Sequence, residues 1–283
     1  MGSKLIDEPY SDDDKELMGT LLNSLVVSLK NARSFEKIKR LNIDLQKKNI
    51  ELEKMLKELQ VALRKVEILE SIKSNLTKFV PAAVSKMVEN SPTSEFKDAQ
   101  EQDISVLFLD IAGYTKITDE IGGTNVNTLI EKYFSVFMDA IYANNGDIVE
   151  TAGDGLMVLF LSDDEKKHAS QAVRTALAIR EEAHRINSAE KGNSKPLPVN
   201  IGICSGIAFV GASKFESLTG SRWVYTTHGT VVNIAARLCS KAKGGEVLVS
   251  RSTILRVKEL FTVTYLGVFP LKNLAEDVDI YAL

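Results

Sequence analysis

A mixed α/β (α+β) sheet covered by helices, preceded by a long charged helix that pairs as a coiled coil, is the fold class this sequence predicts. Two observations predict it. From Ile104 onward, apolar runs of strand length alternate with segments whose apolar residues recur at steps of three and four. Upstream, Ile38, Leu41, Leu45, Lys48, Leu52, Met55, Leu59, Ala62, Val66 and Leu69 form a heptad series in which nine of the ten positions are apolar.

The residues between those heptad positions are mostly Lys, Glu, Gln and Asn. A narrow apolar seam on so charged a helix suits a parallel dimer better than a monomer. The alternative is a single amphipathic helix packed on its own domain, and the off-seam Ile43, Ile50, Leu56, Val61, Leu63 and Ile68 speak for it. After Leu69 the next apolar positions are Ile72, Leu76 and Phe79, so the expected step of four becomes a step of three. That break overwinds a supercoil locally, and it precedes Pro81, where a helix must restart or bend. Further upstream, Ser11 in Glu8-Pro9-Tyr10-Ser11-Asp12-Asp13-Asp14 is a candidate cap for a helix carrying Leu17, Leu21, Leu22, Leu25, Val26, Leu29 and Ala32.

The chain divides accordingly into a first helix over 1–35, a coiled-coil signalling helix with a transducer segment over 36–90, a linker over 91–102, and a catalytic candidate over 103–283. Within the last, strands are expected at 104–111 and, around a Gly-rich turn, in 147–160. Helices are expected at 126–142, 165–186 and 231–242. Further strands fall at 199–204, 207–210, 223–227 and 246–250, with others near the C-terminus.

With 283 residues, 44% of them hydrophobic, the chain can bury one core of ordinary size beside a solvated helix. A formal charge of −3 offers no electrostatic ground for nucleic acid or an anionic membrane as main partner. Cys204 and Cys239 are the only cysteines, which points to buried thiols in a reducing compartment. No window approaches the roughly 18 apolar residues of a membrane helix, so no span and a cytoplasmic location are expected.

The chemistry concentrates on two aspartates. Asp110 follows the apolar run Val106-Leu107-Phe108-Leu109 and precedes Ile111-Ala112-Gly113-Tyr114-Thr115. An ionised carboxylate there is costly unless a cation offsets its desolvation, and the small residues after it would let backbone N–H groups approach a phosphate. Asp154 sits in Thr151-Ala152-Gly153-Asp154-Gly155, a Gly-flanked turn before the apolar run 156–160. If the two strands are neighbours, the carboxylates converge. Such a pair suits two Mg²⁺ or Mn²⁺ ions about 3.5–4 Å apart. Taken singly, each motif also fits an ordinary strand end or an Asp-Gly hairpin.

Together, Phe108-Leu109-Asp110-Ile111-Ala112-Gly113-Tyr114-Thr115 and Gly153-Asp154-Gly155 resemble the two metal-binding motifs of the class III nucleotidyl cyclases. Val232-Asn233-Ile234-Ala235-Ala236-Arg237 resembles that family's helix in which an Asn, and an Arg four residues on, stabilise the transition state. That spacing puts Asn233 and Arg237 one turn apart on one helix face. The likeness covers roughly 103–283. It implies a ferredoxin-like catalytic domain, a purine nucleoside triphosphate as substrate, two divalent metal ions held by Asp110, Ile111 and Asp154, and phosphate contacts from Gly113, Tyr114 and Thr115. Lys272, in Leu271-Lys272-Asn273, matches the family's triphosphate lysine, although relatives usually have Gly where this chain has Asn273; a surface lysine is the other reading.

The resemblance also implies a homodimer, with the metal aspartates from one subunit and Asn233 and Arg237 from the other. Asn75-Leu76-Thr77-Lys78-Phe79-Val80-Pro81 resembles the transducing segment ahead of such domains. The helix closing on Asn31-Ala32-Arg33 resembles the end of a GAF sensor domain, which implies an upstream sensor in a longer protein.

For the base, ATP-using relatives carry a Lys four residues before the second metal Asp; this chain has Glu150, an acceptor suited to guanine N1–H and the 2-amino group. Thr226, in the strand before the Asn motif, can donate to guanine O6 or accept from adenine N6. GTP is favoured over ATP on the strength of Glu150, with ATP as the alternative. His228 reads as a residue packed beside the turn at Gly229 rather than as a base. The competing reading outside catalysis is a non-enzymatic dimeric signalling module. A diguanylate cyclase is disfavoured because the second metal position lacks a Gly-Gly-Asp/Glu-Glu-Phe-like turn.

Overall fold

The structure is a computed structural model that describes residues 9–90, 98–189, 197–218, 220–272, 274 and 276–283. It resolves into two units, Met1–Asn75 and Leu76–Leu283.

The first unit holds nearly all of helix α1 (Asp12–Leu76), 65 residues long. Ser11 caps it as the sequence predicts: its hydroxyl accepts from the Asp14 N–H at 3.2 Å, and Asp14 Oδ2 accepts from the Ser11 N–H at 3.0 Å. This reciprocal pair satisfies one donor at the helix start and the N–H of the cap residue itself. The expected short helix and coil are thus one continuous helix, which runs unbroken through the phase change after Leu69. No residue of α1 is buried, and the seam leucines Leu45, Leu52, Leu59 and Leu69 are each more than half exposed.

In the second unit the chain turns at Thr77–Val80 and restarts after Pro81 as α2 (Ala82–Asn90), the restart that the proline requires. The expected linker lies mostly outside the described residues, at 91–97. Its end is corrected: β1 (Gln100–Ile111) starts at Gln100, ahead of the expected Ile104. Residues 100–103 pair with Ile207–Val210, and their side chains are exposed or only partly buried, so the ladder extends the strand without an apolar signature.

The remaining elements are α3 (Tyr114–Ile121), α4 (Gly123–Ala143), β2 (Gly146–Ala152), β3 (Gly155–Leu161), α5 (Glu165–Ala189), β4 (Val199–Ser217), β5 (Gly220–His228), α6 (Thr230–Lys241), β6 (Val247–Ser250), α7 (Arg251–Val257), β7 (Thr264–Phe269) and β8 (Val278–Ala282). The sheet has eight strands in the order β2-β3-β1-β4-β6-β8-β7, with β5 paired to the far part of β4. Among the described strands, β4 and β6 pair in parallel and the other pairs are antiparallel.

One face carries the main core, in which Leu107, Leu109, Val158, Phe160 and Ile201 meet Tyr133 and Phe137 of α4, Val173 and Ile179 of α5 and Ile254 of α7. The other carries a smaller cluster under α6, with Val106, Met157, Leu159, Val210 and Ala235. The alternation of β1 between these faces explains why its run looked continuously apolar: both sides are covered. Both cysteines are buried, as expected. Among the described residues no helix is long and apolar enough to cross a membrane.

Candidate active site

Asp110 is the penultimate residue of β1 and lies opposite Gly155, the first residue of β3. The turn that carries Asp154 therefore abuts the end of β1, and the Ile111 N–H donates to the Asp154 carbonyl at 3.2 Å. The side chains meet as well. Burial, then the charge of Asp154, then a side-chain hydrogen bond with it, raise the Asp110 carboxyl to a pKa of about 6. Two half-buried carboxylates in contact repel one another, and a divalent cation between them would offset both that repulsion and the desolvation. Among the described residues no group of three or more His, Cys, Asp or Glu could hold a metal ion. The chain thus offers a pair of carboxylates and nearby backbone, and a ligand with its own oxygens must complete any coordination shell. This donor set fits a cation that arrives with a triphosphate.

Directly after the aspartate, Gly113 takes a left-handed conformation at φ 80°, where a side chain would be strained, and α3 starts at Tyr114. Gly113-Tyr114-Thr115, expected to bring backbone N–H groups to a phosphate, is therefore the N-terminus of a helix, whose first N–H groups suit a phosphate oxygen. Tyr114 is partly buried, and its carbonyl accepts from the Thr118 hydroxyl at 2.9 Å.

Helix α6 is pressed onto β4 at Gly202. A Cβ there would lie 2.2 Å from the Cys239 backbone N and 2.3 Å from the Ala235 carbonyl O, so only glycine allows the approach. Val231, Ala235, Leu238 and Cys239 form the buried stripe of α6. Asn233 is exposed and Arg237 half-buried, off that stripe. A helix amide and a guanidinium one turn apart are thus presented away from the sheet.

Glu150 is exposed on β2, the edge strand, just after an irregularity between Ile148 and Glu150 in its pairing with β3. Thr226 lies on β5, half-buried, and its hydroxyl shares a 3.2 Å hydrogen bond with Ser213 on β4. Tyr225 beside Thr226 and Val149 beside Glu150 pack against one apolar cluster, so the β4–β5 ribbon and the edge strand are anchored on the same face of the sheet. Burial and the charge of Asp147 push the Tyr225 phenol up to about 12. Lys272 is exposed in the turn after β7. His228 stacks on Phe209, ring centroids 5.4 Å apart and nearly parallel, as a packing residue would.

Several features escaped the sequence reading. The strands expected at 199–204 and 207–210 are one strand, β4. Helices α3 and α7 were not expected, although Ser250 carries the cap signal for α7 and accepts from the Thr253 N–H at 3.4 Å. Ser213, partner of Thr226, and Asp147, which caps α2, could not be paired with their partners from sequence, since both contacts are made in the fold.

Adenylate cyclase 1 of Rhizobium meliloti (strain 1021) is 29% identical over 187 residues, 65% of this chain and 28% of that protein. An adenylate cyclase of Mycobacterium tuberculosis (strain ATCC 25618 / H37Rv) is 24% identical over 194 residues, which are 68% of this chain and 42% of that protein. The chain thus spans less than half the length of these curated relatives. Among solved structures, the adenylyl cyclase CyaB from P. aeruginosa superposes with a TM-score of 0.60 at 29% identity, covering 66% of this chain and 95% of that one. The guanylate cyclase domain of RhGC from Catenaria anguillulae, in complex with GTP, gives 0.55 at 25% identity, covering 65% and 97%. The family described as "Adenylate and Guanylate cyclase catalytic domain" matches residues 96–283, and the chain belongs to that family.

Proposed function

We propose that this domain is a class III nucleotidyl cyclase that closes a purine nucleoside triphosphate, GTP in preference to ATP, into its 3′,5′-cyclic monophosphate with release of pyrophosphate. The observation that carries the reading is the contact between Asp110 and Asp154 at the ends of neighbouring strands, beside the N-terminus of α3. Asp110, Asp154 and the Ile111 carbonyl would hold two Mg²⁺ or Mn²⁺ ions. Bound there, such ions neutralise phosphate charge and lower the pKa of the ribose 3′-hydroxyl.

In the reaction the 3′-oxygen forms a bond to the α-phosphorus as the bond to the bridging oxygen of the β-phosphate breaks. The hydroxyl proton passes to solvent and pyrophosphate leaves. The N–H groups at Gly113-Tyr114-Thr115 would cradle phosphate oxygens, with Lys272 at the triphosphate. Asn233 orients the ribose, and Arg237 meets the charge that develops on the transferring phosphoryl group.

Asn233 and Arg237 would come from a second copy of the chain. The exposed heptad seam of α1 supports a parallel coiled-coil homodimer, since roughly half-exposed leucines along a charged helix gain stability only by pairing. An upstream sensor, of which 1–35 would be the last helix of a GAF domain, would act through that coil and its phase break after Leu69.

Glu150 supports guanine, because an exposed carboxylate accepts from N1–H and the 2-amino group while adenine N1 would face it lone pair to lone pair. ATP is the second reading. The hydroxyl pair of Thr226 and Ser213 can orient either way and so serves adenine N6 equally, and the Rhizobium and P. aeruginosa relatives are named adenylate and adenylyl cyclases.

The test is a comparison of initial rates on GTP and ATP with purified protein and Mn²⁺. Faster formation of cyclic GMP is expected. Equal rates would remove the argument from Glu150 and leave the cyclase; inertness toward both would leave a non-enzymatic dimeric module.

A further inference from the structure

The N-terminus of α2 is held by a side chain from far along the chain. Asp147, the second residue of β2, accepts from the Ala82 N–H through Oδ1 and from the Ala83 N–H through Oδ2, each at 2.8 Å. Both carboxylate oxygens are engaged with the first two donors of a nine-residue helix, a charge-assisted cap supplied in trans to the local sequence.

The surroundings make this clasp mechanically important. β2 is the edge strand, so among the described residues one side of it has no ladder partner. Its pairing to β3 shifts register between Ile148 and Glu150, so a kink at Val149 lies between Asp147 and Glu150, which re-enters the ladder opposite Met157. Beside the clasp lies a cavity of about 710 Å³, lined by Pro81, Ser85, Phe134, Met138, Val149 and Glu150 among others. The clasp therefore closes one edge of an open space, into which α2 and β2 can shift against each other when it lets go.

We propose that Asp147 is a positioning residue, whose carboxylate ties α2 to the edge strand and so fixes where Glu150 stands relative to the base. The inference rests on the reading of Glu150 as base-specifying. It gives the transducer segment a direct route to nucleotide handling: a displacement of α2 pulls on Asp147 and moves Glu150, three residues on.

The experiment compares the wild-type chain of 283 residues, Asp147→Ala and Asp147→Asn by hydrogen exchange and by kcat/KM on GTP and ATP. Loss of the clasp should speed exchange by about tenfold both in residues 82–86 and in residues 148–151. The GTP:ATP ratio of kcat/KM should fall by about tenfold in Asp147→Ala, with Asp147→Asn between, since Asn keeps one acceptor oxygen. In a Glu150→Gln background the same substitution should move the ratio by less than about twofold. Faster exchange confined to 82–86, equal loss on both nucleotides, or an undiminished ratio change in the Glu150→Gln background would each overturn the proposal. Wild-type protein inert toward both nucleotides would sink the cyclase reading, and the exchange at 148–151 would still decide whether the clasp holds the strand. If Asp147→Ala does not fold, Asp147→Asn carries the same comparison.

Discussion

Asp110 and Asp154 meet across the open end of the β1–β3 pair, and the first of them holds its proton up to a pH of about 6 because burial and the second carboxyl disfavour its charge. Without a cation the pair is a local cost to folding at neutral pH. Asp110→Asn should therefore raise the melting temperature of metal-free protein. The raised pKa sets a ceiling of about 3 kcal/mol, and solvent screening at a half-buried site brings the expected gain to about 1 kcal/mol. The same substitution should abolish both cyclase turnover and the Mn²⁺-dependent thermal shift seen with nucleotide. Thermal melts with and without Mn²⁺ check both; a variant less stable than wild type in EDTA would contradict the repulsion.

Gly202 should tolerate no side chain. The atoms that a Cβ would strike, Cys239 N and Ala235 O, belong to the α6 backbone and cannot rotate away. Gly202→Ala should cost about 2 kcal/mol or more and displace Asn233 and Arg237, with kcat falling at least about tenfold. Denaturant unfolding and steady-state kinetics measure the two effects.

Base preference should be transferable. Glu150→Lys with Thr226→Asp replaces an acceptor by a donor and a two-way hydroxyl by an acceptor, which matches adenine. The GTP:ATP ratio of kcat/KM should shift toward ATP by about 100-fold, well within what a missing hydrogen-bond partner can do. An unmoved ratio would place the base elsewhere.

His168 should make the domain acid-sensitive. It is fully buried, with Nδ1 2.8 Å from the Ser105 hydroxyl and Nε2 facing Arg256 and Asp103. Burial first, then the Arg256 charge, lower its pKa below the usual 6.5, against the opposing pull of Asp103, Glu165 and Asp164. The unfolded chain therefore takes up the proton first. This contribution to stability is complete above about pH 6.5 and is lost as the pH falls from there toward the folded-state value. Melting temperatures between pH 7.5 and 5 should fall more steeply for wild type than for His168→Gln. Parallel curves would remove the histidine from the explanation.

The coil should govern activity through dimer formation. Leu45→Glu with Leu59→Glu places charge at two seam positions that are exposed in the single chain, so folding of the domain should be unaffected. Sedimentation should show monomer at micromolar concentration, with specific activity down at least about tenfold and recovering as protein concentration rises. One residue inserted after Leu69, which restores the heptad phase, should alter basal activity without breaking the dimer.

Local chemistry wrote much of this molecule into its sequence. The Ser11 cap, the heptad periodicity from Ile38 to Leu69, the doubly apolar run at 104–111 and the Gly-flanked aspartate turn are each decided by neighbours a few residues away, and the structure contains a helix, strand or turn at each. Ranges drifted where side chains carry no apolar signal: residues 100–103 join β1 through backbone pairing, and residues 205–206 pair with Ser105 and Ile104 so that β4 continues where a break was expected. Tertiary structure alone decided that Asp110 faces Gly155, that α6 presses on Gly202, that Thr226 pairs with Ser213, and that Asp147 reaches back to the start of α2. These are contacts between segments tens of residues apart, set by strand order and helix packing. No local preference encodes them, because the energy that selects them exists only once the sheet has formed.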